Sequence, residues 1–377
     1  MTDDTDPTDW TDPETFRAAL DRAETREKGT YFEAFAEGDR IEHDPGIRLS
    51  RAGNERWMSQ TLNHDPAFWR TDAAAERGYD EPPIHPDYLL AATMGPSVED
   101  LSEKGGYFLG RTDVRYRADA VYPGTELRVD STVIETRASG SRPEYGIVTW
   151  ETTGRDAETG DALVSYRRTN MIPRREPLET DGGQTAGTDG GQTTGERTDA
   201  DPELGLPDTL LTPDGQHFED FRAALDDADG RDAAVAYRHE RGRTIDDALL
   251  AGLPLATLNT AKQHHDAATM ADSPSGEPVV YGDVTRSIAL GHARSDERTF
   301  REVGYDDERF HDFVIAGDTI YGFTRVLGAS ETPTVELPSG VDATGAAGEV
   351  RFQHVAFNQD EEPVYSGTRT ALIETRD

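Results

Sequence analysis

Apolar and polar positions alternate most clearly between residues 111 and 171. Leu127, Val129 and Val133 fall on alternate positions, the spacing of a strand with one face buried. The pattern predicts strands at Arg111–Tyr116, Glu126–Glu135, Tyr145–Thr152 and Ala162–Met171, with Glu158-Thr159-Gly160-Asp161 as the hairpin turn between the last two. A second set is predicted at Thr319–Leu327, Gly348–Asn358 and Val364–Glu374. A helix precedes each set, at Asp87–Met94 and Asp283–Leu290, and a short helix at Pro13–Ala23 would be capped by Asp12 or Thr11. A helix followed by an antiparallel meander is α+β. The arrangement that fits is a long helix wrapped by a curved antiparallel sheet, present twice.

The duplication is visible in the residues themselves. Phe16–Asp21 and Phe221–Asp226 both read FRAALD. Ile84–Gly95 (IHPDYLLAATMG) matches Val280–Gly291 (VYGDVTRSIALG), and Val121–Leu127 (VYPGTEL) matches Val314–Ile320 (VIAGDTI). Asn63-His64-Asp65 aligns with His264-His265-Asp266, which sets Asn63 where the second copy has His264. The matches keep their order at an offset of about 200 positions, too long for a solenoid repeat and right for a duplicated domain. The expected organisation is an acidic, disordered lead at 1–12, an N-terminal domain at 13–176, a flexible linker at 177–206 and a C-terminal domain at 207–377. The linker carries TDGGQT twice, at Thr180–Thr185 and Thr188–Thr193.

Charge narrows the partners. The 377 residues carry 74 acidic against 38 basic side chains, a formal net charge of −36, and three lysines: Lys28, Lys104 and Lys262. Such a surface repels polyanions, so nucleic acid is not expected as a partner. It suits molar salt, where the screening length falls to about 3 Å, as in a halophile. With no cysteine, disulfides, thiolate metal sites and cysteine nucleophiles are excluded. The N-terminus has no apolar core of a signal peptide and no run approaches 18 apolar residues. The expectation is a cytoplasmic protein with no membrane contact. Neither a metal nor a cofactor is expected: His264 and His265 are adjacent and would face different sides, and no phosphate-binding glycine loop precedes a helix.

Leu258–Asp266 reads LNTAKQHHD, with His264 five positions after Asn259. This segment resembles the active-site motif of the MaoC-like, or hydratase 2, enoyl-CoA hydratases, D-x-N-P-x-H-x-D. The overlay puts Asn259 at the family's aspartate, His264 at its histidine and Asp266 at its trailing aspartate. In the first copy the same overlay gives Met58, Asn63 and Asp65, with Asp65-Pro66-Ala67-Phe68 matching the D-P-x-F continuation. Within that superfamily, Asn259-Thr260-Ala261, His264, Val280-Tyr281-Gly282 and Ala316–Thr319, with Tyr122-Pro123-Gly124 and Leu163–Arg167 in the first copy, resemble the mesaconyl-CoA hydratases. The resemblance implies a double hot-dog fold with one working half, an acyl-CoA substrate, and a hydro-lyase that converts mesaconyl-CoA to β-methylmalyl-CoA in acetate assimilation by the methylaspartate cycle. A homodimer is an open possibility.

The chemistry gives each candidate a role. An imidazole, His264, suits proton transfer near neutrality. Backbone N–H groups at a helix start suit the thioester oxygen as it gains charge, and by analogy with the family Gly282 is the expected donor, with Tyr281 beside it. Asn259 cannot act as a base; it can hold a water or orient His264. Asp283 is then the first candidate for a second acid–base group, ahead of His265 and Asp266, although Asp283 and Asp87 also read as helix N-caps. Lys262 and Arg286 are the cations placed to meet a coenzyme A phosphate or a substrate carboxylate; His64 and His85 read as structural or surface residues. Three alternatives stay open: a MaoC-like (R)-specific hydratase for another enoyl-CoA, a hot-dog thioesterase using Asp283, and an acyl-CoA-binding module.

Overall fold

The computed structural model describes residues 8–177, 205–295, 297–341 and 345–376. Most of the expected linker and residues 1–7 of the acidic lead lie outside them. The described chain forms one twelve-stranded sheet in two halves. The first half contains β1 (Arg40–Arg48), β2 (Tyr107–Tyr116), β3 (Glu126–Ala138), β4 (Tyr145–Asp156) and β5 (Ala162–Pro173), ordered β1-β3-β4-β5-β2. The second contains β6 (Thr209–Leu211), β7 (Ala233–Arg238), β8 (Arg243–Thr244), β9 (Thr299–Phe310), β10 (Thr319–Ser330), β11 (Ala347–Phe357) and β12 (Pro363–Glu374), ordered β9-β12-β11-β10-β7-β6, with β8 on β10. The halves join where β2 pairs antiparallel with β9, Val114 facing Tyr305. Each expected strand is present with its ends moved by a few residues. Strand β9 was hidden from the hydropathy pattern because it buries charge: Arg301, Glu302 and Glu308 are all inside.

The labelled helices are α1 (Pro13–Leu20), α2 (Arg51–Gln60), α3 (Pro86–Met94), α4 (Phe218–Ala228) and α5 (Gly282–Ser295). Asp12 caps α1 through the Thr15 N–H at 2.9 Å. Every residue of α3 from Asp87 to Met94 is buried, as befits a helix apolar nearly all round. Helices α3 and α5 are the two central helices, and the architecture is the double hot-dog. The FRAALD hexamers do not play equal parts in it. In α4, Phe218 and Phe221 pack with Val235, Val326, Val350 and Phe352, whereas α1 buries nothing and leaves Phe16 exposed.

A buried chain of opposite charges ties the halves together. Asp283 pairs with Arg111 at 2.5 Å, and Arg111 reaches Glu308 at 2.7 Å. Glu308 meets Arg286 at 2.8 Å, Arg286 meets Asp87 at 2.7 Å, and Asp87 meets Arg294 at 2.5 Å. Arg294 and Arg369 then share Glu302. Asp87 and Arg111 belong to the first copy and their partners to the second. These aspartates are therefore not helix caps. The α3 cap is His85, whose Nδ1 accepts the Asp87 N–H, and both carboxylates are spent on arginines. Arg286 is likewise not a ligand-binding cation: it is fully buried, with its guanidinium 4.0 Å over the Tyr305 ring.

Candidate active site

The turn that carries the second copy's motif is set by its backbone. Leu258 adopts φ +64°, and the Asn259 N–H returns to the Pro254 carbonyl at 2.9 Å. The Asn259 side-chain oxygen accepts the Ala261 N–H at 3.1 Å, opening a 3₁₀ turn over Lys262–His264. This turn is seated on the other half. A Cβ at Gly95, at the end of α3, would lie 1.6 Å from the Thr257 carbonyl oxygen. The reciprocal contact exists too, with Gly291 of α5 against Thr61, where a Cβ would come within 2.5 Å. Only glycine allows this approach, so each central helix supports the other copy's turn.

The first copy has the same turn, and it corrects the alignment made from residues alone. Leu62 also has φ +59°, Asn63 N–H returns to Met58, and the Asn63 side chain accepts the Asp65 N–H. One offset of 196 positions carries Leu62 onto Leu258, Asn63 onto Asn259, His85 onto Tyr281 and Asp87 onto Asp283. Asn63 is therefore the counterpart of Asn259, not of His264. Phe68 stands where the second copy has His264.

His264 is 3% exposed, and its Nδ1 lies 2.8 Å from the Val279 carbonyl oxygen. A carbonyl only accepts, so Nδ1 carries the proton and Nε2 keeps its lone pair. Burial pulls this imidazole down to about 4, against the upward pull of the Val279 bond, so it is neutral at pH 7. His264 lines a cavity of about 560 Å³ with Asn259, Tyr281, Gly282 and Asp283, within the size range of small-molecule sites. The opposite wall is the first copy's: Tyr107, Phe108, Arg111, Arg168, Asn170 and Met171. A Cβ on Gly282 would lie 2.4 Å from the Phe310 ring, so only glycine leaves the helix start open. As the first residue of α5, its N–H has no intrahelical acceptor.

A family model described as mesaconyl-CoA hydratase matches residues 9–375. A mesaconyl-CoA hydratase from Haloarcula hispanica is 64% identical, covering 97% of this chain and 99% of its own. One from Haloarcula marismortui is 63% identical, covering 99% of each. The chain belongs to the mesaconyl-CoA hydratase family. Among solved structures, a MaoC-domain protein from Chloroflexus aurantiacus aligns with a TM-score of 0.74 at 20% identity, over 94% of this chain and 100% of that one. A double hot-dog protein from Mycobacterium tuberculosis aligns at 0.66 and 20%, over 92% and 98%; both likenesses concern the fold.

In this hydratase-family chain the cavity brings together His264, Asn259, Tyr281, Gly282 and Asp283. It leaves out Arg286 and Lys262, the latter exposed on the 3₁₀ turn. Asp283 reaches the cavity but is not a free base. Arg111 takes both its oxygens, at 2.5 and 3.2 Å, and the Tyr281 hydroxyl donates to one at 2.7 Å. Burial pushes this carboxyl up, yet the Arg111 guanidinium and these hydrogen bonds hold it below its ordinary value. His265 is exposed and bonds Thr260, while Asp266 caps a short helix through Thr269. The first-copy wall was missed in the sequence. Its signal was an arginine on the inward face of a strand: Val164, Tyr166, Arg168 and Asn170 alternate inward along β5.

Proposed function

We propose that this chain is a hydro-lyase that adds water reversibly across the double bond of mesaconyl-CoA to give β-methylmalyl-CoA, with the second copy's turn as its reacting centre. The observation that carries the reading is His264, held neutral by burial and in one tautomer by Val279, on the wall of a cavity large enough for an acyl thioester. Nε2 takes a proton from water as the oxygen attacks the carbon bearing the substrate's carboxylate. The same nitrogen, now protonated, returns a proton to the methyl-bearing α-carbon. An imidazolium whose protonated form is disfavoured by burial is a strong acid for that second step. One residue thus serves both transfers, and no second titrating group is required. The Asn259 amide orients the water, and the Gly282 N–H at the positive end of α5 stabilises the thioester oxygen.

A thioesterase needs a carboxylate free to activate water, and both Asp283 oxygens are taken. No helix among the described residues is long and apolar enough to cross a membrane, and the acidic surface fits work in concentrated salt inside a cell. The test is mesaconyl-CoA hydration in molar KCl, followed by loss of enoyl-thioester absorbance and identification of the product. Formation of β-methylmalyl-CoA is expected; hydration of crotonyl-CoA alone would move the substrate to another enoyl-CoA, and release of free coenzyme A would point to hydrolysis.

A further inference from the structure

Arg168 is a fully buried wall residue whose charge is left over among the described residues. It is 2% exposed on β5, lines the cavity, and has no hydrogen-bond partner for Nε or Nη2 among the described residues. No carboxylate pairs with it among them either. Its cross-strand neighbours deepen the problem. Arg111 faces it from β2, and like charges directly opposite destabilise a sheet; Arg111 is neutralised by Asp283 and Glu308. On the other side Trp150 stacks on it, with 5.4 Å from the guanidinium to the ring. Asn170, two residues on and therefore on the same face, also has an orphaned amide oxygen. A buried cation without an anion is costly enough that buried charges are normally paired. An unpaired one on a cavity wall is satisfied when an anion enters.

We infer that Arg168, supplied by the first copy, binds the free carboxylate of the substrate. This rests on the reading above, in which the substrate is a dicarboxylic monothioester. In mesaconyl-CoA that carboxylate sits on the very carbon that water attacks. Left bare, its charge repels the incoming oxygen as it takes on negative character; a guanidinium neutralises it and fixes the alkene against His264. The planar guanidinium matches a carboxylate bidentately. The pairing also excludes neutral acyl chains, because they would leave the buried cation unpaired. The first copy has lost its own reacting histidine and keeps a role as the specificity wall.

Tiglyl-CoA is the matched probe: it has the shape of mesaconyl-CoA with a methyl group in place of the carboxylate. Arg168→Gln is expected to lower kcat/KM for mesaconyl-CoA by about 10²-fold, the scale of a lost charge-assisted bond. Its turnover of tiglyl-CoA, or the inhibition constant of tiglyl-CoA if neither protein hydrates it, should stay level or improve. Arg168→Lys should recover part of the mesaconyl-CoA loss, because charge returns without the fork. Equal losses for both thioesters, or an unchanged preference between them, would overturn the subsite. A wild-type protein with no mesaconyl-CoA turnover would instead sink the functional reading on which the subsite rests.

Discussion

The two halves share one backbone plan and diverge at the same three positions. Where the second copy has His264, the first has Phe68; where it has Tyr281, the first has His85; where it has Gly282, the first has Pro86. Phe68 packs against His85 with ring centres 4.6 Å apart, and Asn63 bonds that imidazole at 2.8 Å. The space so filled shrinks to a cavity of about 40 Å³, against about 560 Å³ in the second copy. Proline also has no N–H to offer an oxyanion. The first copy thus lacks the imidazole, the N–H and the room to which the proposed chemistry is assigned in the second. Its remaining contributions are support, through Gly95, and a wall, through β2 and β5.

The comparison breaks most sharply at the imidazole. His264→Ala should cost about 10²–10⁴-fold in turnover, the range for lost general acid–base catalysis, while Phe68→His should restore no second site in the same assay. A doubly active Phe68→His protein would mean that the filled cavity was not the obstacle. Next is the charge chain between the halves. Asp87→Asn leaves Arg286 and Arg294 short of their shared carboxylate and should cost about 3–5 kcal/mol, read as the shift of the denaturant midpoint at constant slope. A shift below about 1 kcal/mol would show that the chain is not under strain from that loss.

The helix starts come third. Gly282→Ala puts a methyl group into the Phe310 ring but keeps the N–H, and Gly282→Pro removes the N–H as well. Turnover of the proline variant should fall about 10²–10³-fold below the alanine variant, the effect of one oxyanion donor. The mirror change, Pro86→Gly, should leave turnover level. Smallest is the pH response. His264 has a folded value of about 4, below its ordinary 6.5, so the unfolded chain takes up its proton first as pH falls. Its contribution to stability is complete above pH 6.5 and is lost as pH falls towards 4. kcat/KM in the free enzyme should hold through pH 6 and decline near 4. A decline centred at 6.5 would place the ring in water, and His264→Phe should flatten the stability change across that window.

Much of the fold was legible because hydropathy period and turn residues act locally. The meander strands from Glu126 onward and the two central helices appear in the alternation of Leu127, Val129 and Val133 and in the matched IHPD and VYGD segments. Strand β9 was not legible because it buries Arg301, Glu302 and Glu308, which look like surface until their partners elsewhere in the chain are known. At the site, His264, Asn259 and Gly282 could be read from spacing and resemblance. The equivalence of Asn63 with Asn259 could not, because the short Asn-His-Asp and His-His-Asp runs aligned better as letters than Leu62 and Leu258 do as conformations.

The sequence by itself determined that there are two copies, that each is a helix with an antiparallel sheet, that the surface is strongly acidic, and that the histidine of the family-like motif, His264, lies in the second copy. Only the tertiary structure decided which charges are free. Arg286 looked available and is consumed by Asp87 and Glu308; Asp283 looked like a base and is held by Arg111; Arg168 attracted no notice and is a buried arginine on the cavity wall with no carboxylate partner among the described residues. The physical reason is that pairing depends on what lies across a strand or behind a helix, and here Arg286 and Asp87 are 199 positions apart in the chain and Arg111 and Asp283 are 172. Local pattern fixes the elements, while contacts between distant segments fix the chemistry of the groups they carry.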